Sequence, residues 1–173
     1  MKSPAIPEFV DPTKSCDKKL TYTGVVGHDK LPRFLAAQNR EIDTTSLIEV
    51  EISFRRDEQR RKVAKLFYRT EAKLVCQRCL DEMEIPLEGS ATFVFCRNDW
   101  ELEQAPKSYE PSLLTGNELN LWQILEDELL LSLPMFANHP DVHCNEMLNA
   151  FTSAAEKQFR ANPFAVLGEL LKK

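Results

Sequence analysis

Three successive runs of the chain alternate strictly between apolar and polar positions. In the first, Ile48, Val50, Ile52 and Phe54 share one face, opposite Glu49, Glu51 and Ser53. In the second, Ala64, Leu66, Tyr68, Thr70, Ala72 and Leu74 lie opposite Lys65, Phe67, Arg69, Glu71 and Lys73. In the third, Met83, Ile85, Leu87, Ala91, Phe93 and Phe95 alternate with Glu82, Glu84, Glu88, Ser90 and Thr92. Successive side chains of a strand point to opposite faces, so this pattern predicts an antiparallel meander with one wet face. The polar link Asp57-Glu58-Gln59-Arg60 suits a hairpin between the first two strands. Upstream, Lys19 to Val26 has strand character and Gly27-His28-Asp29 is turn material. Asp29 is placed to cap a short helix through Arg33-Phe34-Leu35-Ala36-Ala37.

Residues 97–117 carry Pro106, Pro111, Gly116 and several charges, and read as a long loop. The period then changes. Asn120 with Gln123 makes a capping-box pattern, and Leu119 with Ile124 is spaced as a hydrophobic staple. Leu121, Trp122, Leu125, Leu129 and Leu133 recur at helical spacing until Pro134 stops the run. Trp122 falls on this stripe and reads as core. A second helix is predicted from Asn145 to Arg160, and Asn162-Pro163 opens a short final one, Phe164 to Leu171. The expected fold is α+β: an antiparallel meander, residues 19–96 being mainly β, packed by C-terminal helices within 118–173, all in a single domain over 1–173.

With 173 residues, of which 43% are hydrophobic and 28% charged, the composition is that of a soluble globular protein. A chain of this length buries roughly 70% of its unfolded surface and needs no disulfide or metal merely to fold. The start Met1-Lys2-Ser3-Pro4-Ala5-Ile6-Pro7 shows no secretory h-region. The longest apolar stretch, Leu129 to Ala137, is interrupted by Ser132 and Pro134 and falls short of the roughly 20 residues a bilayer requires. The five cysteines (Cys16, Cys76, Cys79, Cys96, Cys144) are odd in number and unevenly spaced, which fits reduced thiols better than a disulfide framework. A cytoplasmic protein is expected, with no membrane contact.

A formal net charge of −5 argues mildly against a nucleic-acid partner, but the charge is divided. Residues 1–54 hold 7 basic and 8 acidic side chains, residues 55–78 hold 9 and 3, and residues 79–173 hold 6 and 16. A basic block therefore precedes an acidic half, a hint about partners and not about fold. In the block, Lys65, Arg69 and Lys73 share a strand face with Phe67, while Arg55, Arg56, Arg60, Arg61 and Lys62 crowd the hairpin and Arg78 follows. Cations around an aromatic suit phosphates and a stacked base. The same face also reads as a solvated sheet surface balanced by the flanking Glu rows. In the acidic half, Glu126, Asp127 and Glu128 are candidates for a basic protein partner, or simply face solvent.

The sharpest local motif is Cys76-Gln77-Arg78-Cys79, between the second and third strands. Two thiolates two residues apart on a turn can face one metal ion, and a zinc site needs about four ligands. His139 with Cys144, or His143 as the alternate, is the compact second half. A reduced structural turn is the plain reading, and a dithiol redox centre the third, although the motif does not open a helix after a parallel strand. Nothing resembles a paired-carboxylate hydrolase, a nucleophile elbow, a phosphate-cradling glycine loop or an HExxH site, so no catalytic residues are assigned and an enzyme is not expected.

Taken in order, Cys76-Gln77-Arg78-Cys79-Leu80, Ser108-Tyr109-Glu110-Pro111, Leu125-Glu126-Asp127-Glu128-Leu129, Leu133-Pro134, His139 with Cys144, and Asn162-Pro163-Phe164-Ala165-Val166-Leu167 form a set. The set resembles the YceD family, the large ribosomal RNA subunit accumulation proteins of bacteria and plastids, over nearly the whole chain. The resemblance implies a non-enzymatic accessory role in synthesis, processing or stability of 23S ribosomal RNA. It implies ribosome biogenesis without naming a direct contact, and it brings no catalytic residues; the partner expected is that RNA or its precursor, and the alternative is a basic large-subunit ribosomal protein for which the chain would act as chaperone or interaction module. On this expectation RNA would be bound through Arg56, Arg60, Arg61, Lys65, Phe67, Arg69, Lys73 and Arg78. A protein partner would be bound through Glu126, Asp127 and Glu128. A zinc- or dithiol-dependent enzyme acting through Cys76 and Cys79 is the remaining alternative.

Overall fold

A computed structural model describes residues 5–38, 46–114 and 116–156. The chain begins with β1 (Phe9–Val10), α1 (Pro12–Asp17) and β2 (Thr21–Gly27), then a 3-10 turn (His28–Lys30) and α2 (Pro32–Ala37). The alternating runs follow as β3 (Leu47–Arg56), β4 (Lys62–Val75) and β5 (Glu82–Cys96). After them come α3 (Asp99–Glu103), β6 (Glu110–Leu113), β7 (Leu119–Asn120), α4 (Leu121–Ser132) and α5 (Glu146–Glu156). Among the described residues the main sheet has the order β2-β3-β4-β5-β6, and β1 pairs with β7 in a small second ladder. The mixed α+β class and the antiparallel meander are as the alternation predicts. The helix expected from Asn145 runs over α5, its residues beyond 156, like the final helix over 164–171, lying outside the described residues.

The apolar face of the meander makes the core. Ile48, Val50, Ile52 and Phe54 of β3, Ala64, Leu66 and Tyr68 of β4, and Leu87, Ala91, Phe93 and Phe95 of β5 pack beneath Leu121, Leu125 and Leu129 of α4. Leu31 and Phe34 at α2 and Cys16 of α1 join them, so among the described residues N-terminal helices as well as α4 cover this face. Tyr68 reaches α4 and donates from its hydroxyl to the Glu128 carbonyl at 3.3 Å. It lies across Gly89 on the paired strand, where any Cβ would collide with its phenol ring. Among the described residues the opposite face is covered at one end, where Val63, Val94 and Cys96 pack against Leu102, Ala105 and Tyr109.

Two local expectations are corrected. Residues 97–117 are not simply a loop: they carry α3 and then β6, which pairs in parallel with β5 from Phe93↔Glu110 to Cys96↔Leu113. A parallel return needs a crossover of a dozen or so residues, and α3 lies in it. Glu110-Pro111-Ser112-Leu113 hides in the sequence because it neither alternates nor excludes proline, which an edge strand tolerates. Nor does Asp29 cap α2. Leu31 is the N-cap, with no side-chain cap of its own, and the carboxylate of Glu126 takes that role from α4. Asn120 does cap α4, accepting from the Gln123 amide at 2.9 Å.

Candidate metal centre and nucleic-acid interface

The β4–β5 hairpin has a tight turn at each end of β4, and a candidate site at each. At the first, β4 runs out at Val75 and Cys76-Gln77-Arg78-Cys79-Leu80 turns the chain back. The Cys76 amide donates to Asp81 and the Leu80 amide to Cys76, both at 2.9 Å. Leu80 completes the turn at φ 67°, a left-handed conformation unusual for a branched residue. The segment after α4 straps across this turn: Gln77 donates its amide to the Ala137 carbonyl at 2.8 Å, and Arg78 its guanidinium to the Asp141 carbonyl at 2.8 Å. That strap delivers His139 and Cys144, 60 and 65 residues after Cys79 in the chain.

Cys76, Cys79, His139 and Cys144 thus converge, with one ligand atom of each inside 4.8 Å of the others. The Cys76 and Cys144 sulfurs are 3.9 Å apart, and the Cys79 sulfur is 3.2 Å from His139 Nδ1. A tetrahedral zinc ion with Zn–S about 2.3 Å and Zn–N about 2.0 Å requires S···S of about 3.8 Å and S···N of about 3.5 Å. Three sulfurs and one imidazole at these spacings fit such an ion. His143, the alternate ligand, is turned away: its ring faces Asn149 Oδ1 at 3.3 Å and its amide bonds Asp141. Burial pushes the Cys76 thiol up, but the amides of Cys79, His139 and Arg78 outweigh it and bring the group down to about 5. The Asp81 amide favours the Cys79 thiolate, yet burial and the neighbouring sulfurs of Cys76 and Cys144 push that thiol up to about 11. The turn thus prepares Cys76 as the first thiolate.

At the second end, Asp57 organises the β3–β4 turn. It accepts from the Gln59 and Arg61 amides at 3.0 and 2.8 Å and from the Arg61 guanidinium at 2.6 Å. Burial would raise the Asp57 carboxyl, but Arg61 and these amides hold it below its usual range. Arg61 also lies over the Tyr109 ring at 5.6 Å. Arg56 bonds Asp17 at 2.6 Å and the Arg60 carbonyl at 2.9 Å. Arg60, at φ 61°, stands exposed. Along the outer face of β4 the structure pairs two of the cations with β5: Arg69 with Glu88 at 2.9 Å and Lys73 with Glu84 at 2.7 Å. Lys65 and Phe67 are exposed on the same face, and Arg78 belongs to the cysteine end. The eight cations and aromatics are therefore not one patch.

The acidic triplet is divided too. Glu126 is buried, accepting from the Arg33 and Phe34 amides at 2.7 and 3.2 Å and from Arg33 Nε at 2.8 Å. Asp127 takes the other side of the Arg33 guanidinium at 2.7 Å. Glu128 is half-buried; burial, then the neighbouring Glu110 and Asp127 carboxyls, push it up to about 7. At the β3–β4 end the sequence places Lys62 in the basic crowd but does not show that it is buried, and it misses exposed Arg97 and Trp100. Lys62 had a signal, since it shares strand parity with apolar Ala64 and Leu66; Arg97 and Trp100, in the expected loop, had none.

The comparisons with known proteins agree in one direction. The family model described as large ribosomal RNA subunit accumulation protein YceD matches residues 64–171. A relative from Haemophilus influenzae, bearing the same description, is 31% identical over 183 aligned positions that cover the whole of both chains. No solved structure matches. No helix among the described residues is long and apolar enough to cross a membrane.

Proposed function

The chain belongs to the YceD family, and from that premise we propose that it supports accumulation of large-subunit (23S) ribosomal RNA as a non-enzymatic factor in direct contact with the RNA or its precursor. The observation that carries the reading is the segregation of charge: in an acidic chain, Arg55, Arg56, Arg60, Arg61 and Lys62 gather at one hairpin end, between β3 and β4. There Arg55 and Arg60 are exposed, and their side chains have no hydrogen-bond or ion-pair partner among the described residues. Phosphates reward such cations through counterion release. Glu126 and Asp127 are already engaged by Arg33, so the RNA reading is the one we carry. Cys76, Cys79, His139 and Cys144 would hold one zinc ion, which would brace the opposite end and supply no step of chemistry.

The test is affinity for large-subunit rRNA fragments as a function of salt. Log affinity should fall linearly with log salt, by about 0.7 per phosphate contact on single strands. An Arg55→Glu/Arg60→Glu double variant should flatten that slope and, in a strain lacking the gene, fail to restore large-subunit rRNA that the wild-type chain restores. Binding without a salt slope, or full restoration by the variant, overturns the reading.

A further inference from the structure

Beside the β3–β4 turn, the chain leaves a concavity of about 400 Å³ between the turn, the end of β5 and α3. Ligand pockets commonly occupy about 300–1,000 Å³. Its wall brings together Arg56, Arg60, Arg61, Lys62, Arg97 and Trp100, the last two contributed from outside the β3–β4 hairpin. Lys62 is the unusual member. It is 7% exposed, yet its ammonium has no hydrogen-bond partner among the described residues. Burying a cation without a partner is costly, and such a group calls for an anion to complete it. The one nearby carboxylate in the wall, Glu101, is turned to the Arg97 amide at 2.8 Å. Burial, then Arg97, lowers the Lys62 ammonium's pKa by more than the attraction of Glu101 raises it. Lys62 and Arg97 also line the adjoining concavity beside Pro12 and Asn117, so the two hollows share these cations. Trp100 stands at the rim, 70% exposed, on the helix that faces the turn.

An orphaned buried cation beside exposed arginines selects a phosphate. A large exposed indole next to it selects a flat ring, and base–aromatic stacking is the common partner of phosphate contacts on single strands. A duplex hides its base faces in the stack, so the combination favours unpaired RNA. We propose that this concavity takes one nucleotide of single-stranded RNA, its phosphate held by Lys62 and Arg97 and its base stacked on Trp100. The inference rests on the RNA-binding reading above and names the subsite that the exposed arginines lead into.

The experiment is fluorescence anisotropy of the full chain with a labelled 12-nucleotide single-stranded RNA and with a blunt duplex of the same sequence. Trp100→Ala should weaken binding of the single strand by about tenfold. Lys62→Met should weaken it at least as much while raising the melting temperature, because an apolar side chain replaces an unpartnered buried charge. That pairing, a gain in stability with a loss of affinity, excludes misfolding as the cause. Lys30→Met, the same charge change at a surface ion pair, should leave affinity within about twofold. The duplex should bind about tenfold more weakly than the single strand. Unchanged affinity in Lys62→Met and Trp100→Ala, with wild-type binding intact, overturns the pocket and spares the RNA reading. Absence of binding by the wild-type chain overturns both.

Discussion

The two turns that bound β4 are built alike and finished differently. Each reverses the chain through a non-glycine residue in the left-handed region, Arg60 at φ 61° and Leu80 at φ 67°. With 14 residues between them in β4, at about 3.3 Å each, they lie roughly 45 Å apart along the strand. The cysteine turn is closed: a strap from beyond α4 lies over it, and its four donors point at one another. The arginine turn is open: its cations face a hollow, and the buried Lys62 ammonium has no protein partner among the described residues. A site completed by its own chain serves stability, whereas one left incomplete leaves room for a ligand. One strand carries both, so what holds the fold and what meets a partner can vary independently.

The largest effect should come from breaking the closed end. Cys76→Ser removes one of the four donors proposed to hold zinc: elemental analysis should find about one ion per chain in the purified wild-type protein and none in the variant. Loss of a bracing ion worth about 3 kcal/mol lowers Tm by roughly 10 °C in a chain of this size. An unchanged Tm with zinc retained would leave the two ends energetically alike. Next in size, Glu126→Gln calibrates both ends against a buried contact remote from either. It keeps the shape but removes the charge held by Arg33 and two α2 amides, and denaturant unfolding should show a loss of about 2 kcal/mol.

Smaller is the effect at Glu128, beside the middle of β4. Its carboxyl is raised from 4.5 to about 7, so between these values the folded chain binds more protons than the unfolded one. Stability therefore falls as pH rises through that window and is level above it. Glu128→Gln should be more stable than wild type by about 1 kcal/mol at pH 8, after allowance for partial exposure, and equal to it at pH 4. A variant with the same pH profile as wild type would sink this assignment. Smallest are the turns themselves: Leu80→Gly and Arg60→Gly should each gain about 0.5–1 kcal/mol from relief of the left-handed backbone. A gain at only one of them would break the likeness between the ends.

What was legible in the sequence is what a period or a spacing encodes. The three central strands follow from strict alternation, and α4 from Asn120, its apolar stripe and Pro134. The cysteine cluster was legible as chemistry but not as geometry. Only the strap that places His139 Nδ1 at 3.2 Å from the Cys79 sulfur chooses it over His143. Tertiary completion was not legible. No local pattern shows that Glu126 caps a helix far upstream, whereas the pairs of Arg69 with Glu88 and Lys73 with Glu84 are ones the flanking Glu row allows. The hollow escaped because Arg97 and Trp100 belong to a stretch whose prolines and charges conceal a short helix and an edge strand.

The bond from Glu126 to the α2 amides has a consequence in time. Its partners are 92 and 93 residues apart. At about 5–20 residues per second, a growing chain finishes α2 roughly 5–20 s before the carboxylate that caps it is made. A six-residue helix is too short to hold itself in water, so α2 cannot settle early. The meander can pair as it emerges, because its strands are neighbours in sequence, while the layer above it closes last. Closure of α2 onto α4 is therefore reported by the ion pairs of Arg33 with Glu126 and Asp127, which time the moment the helical layer meets the meander.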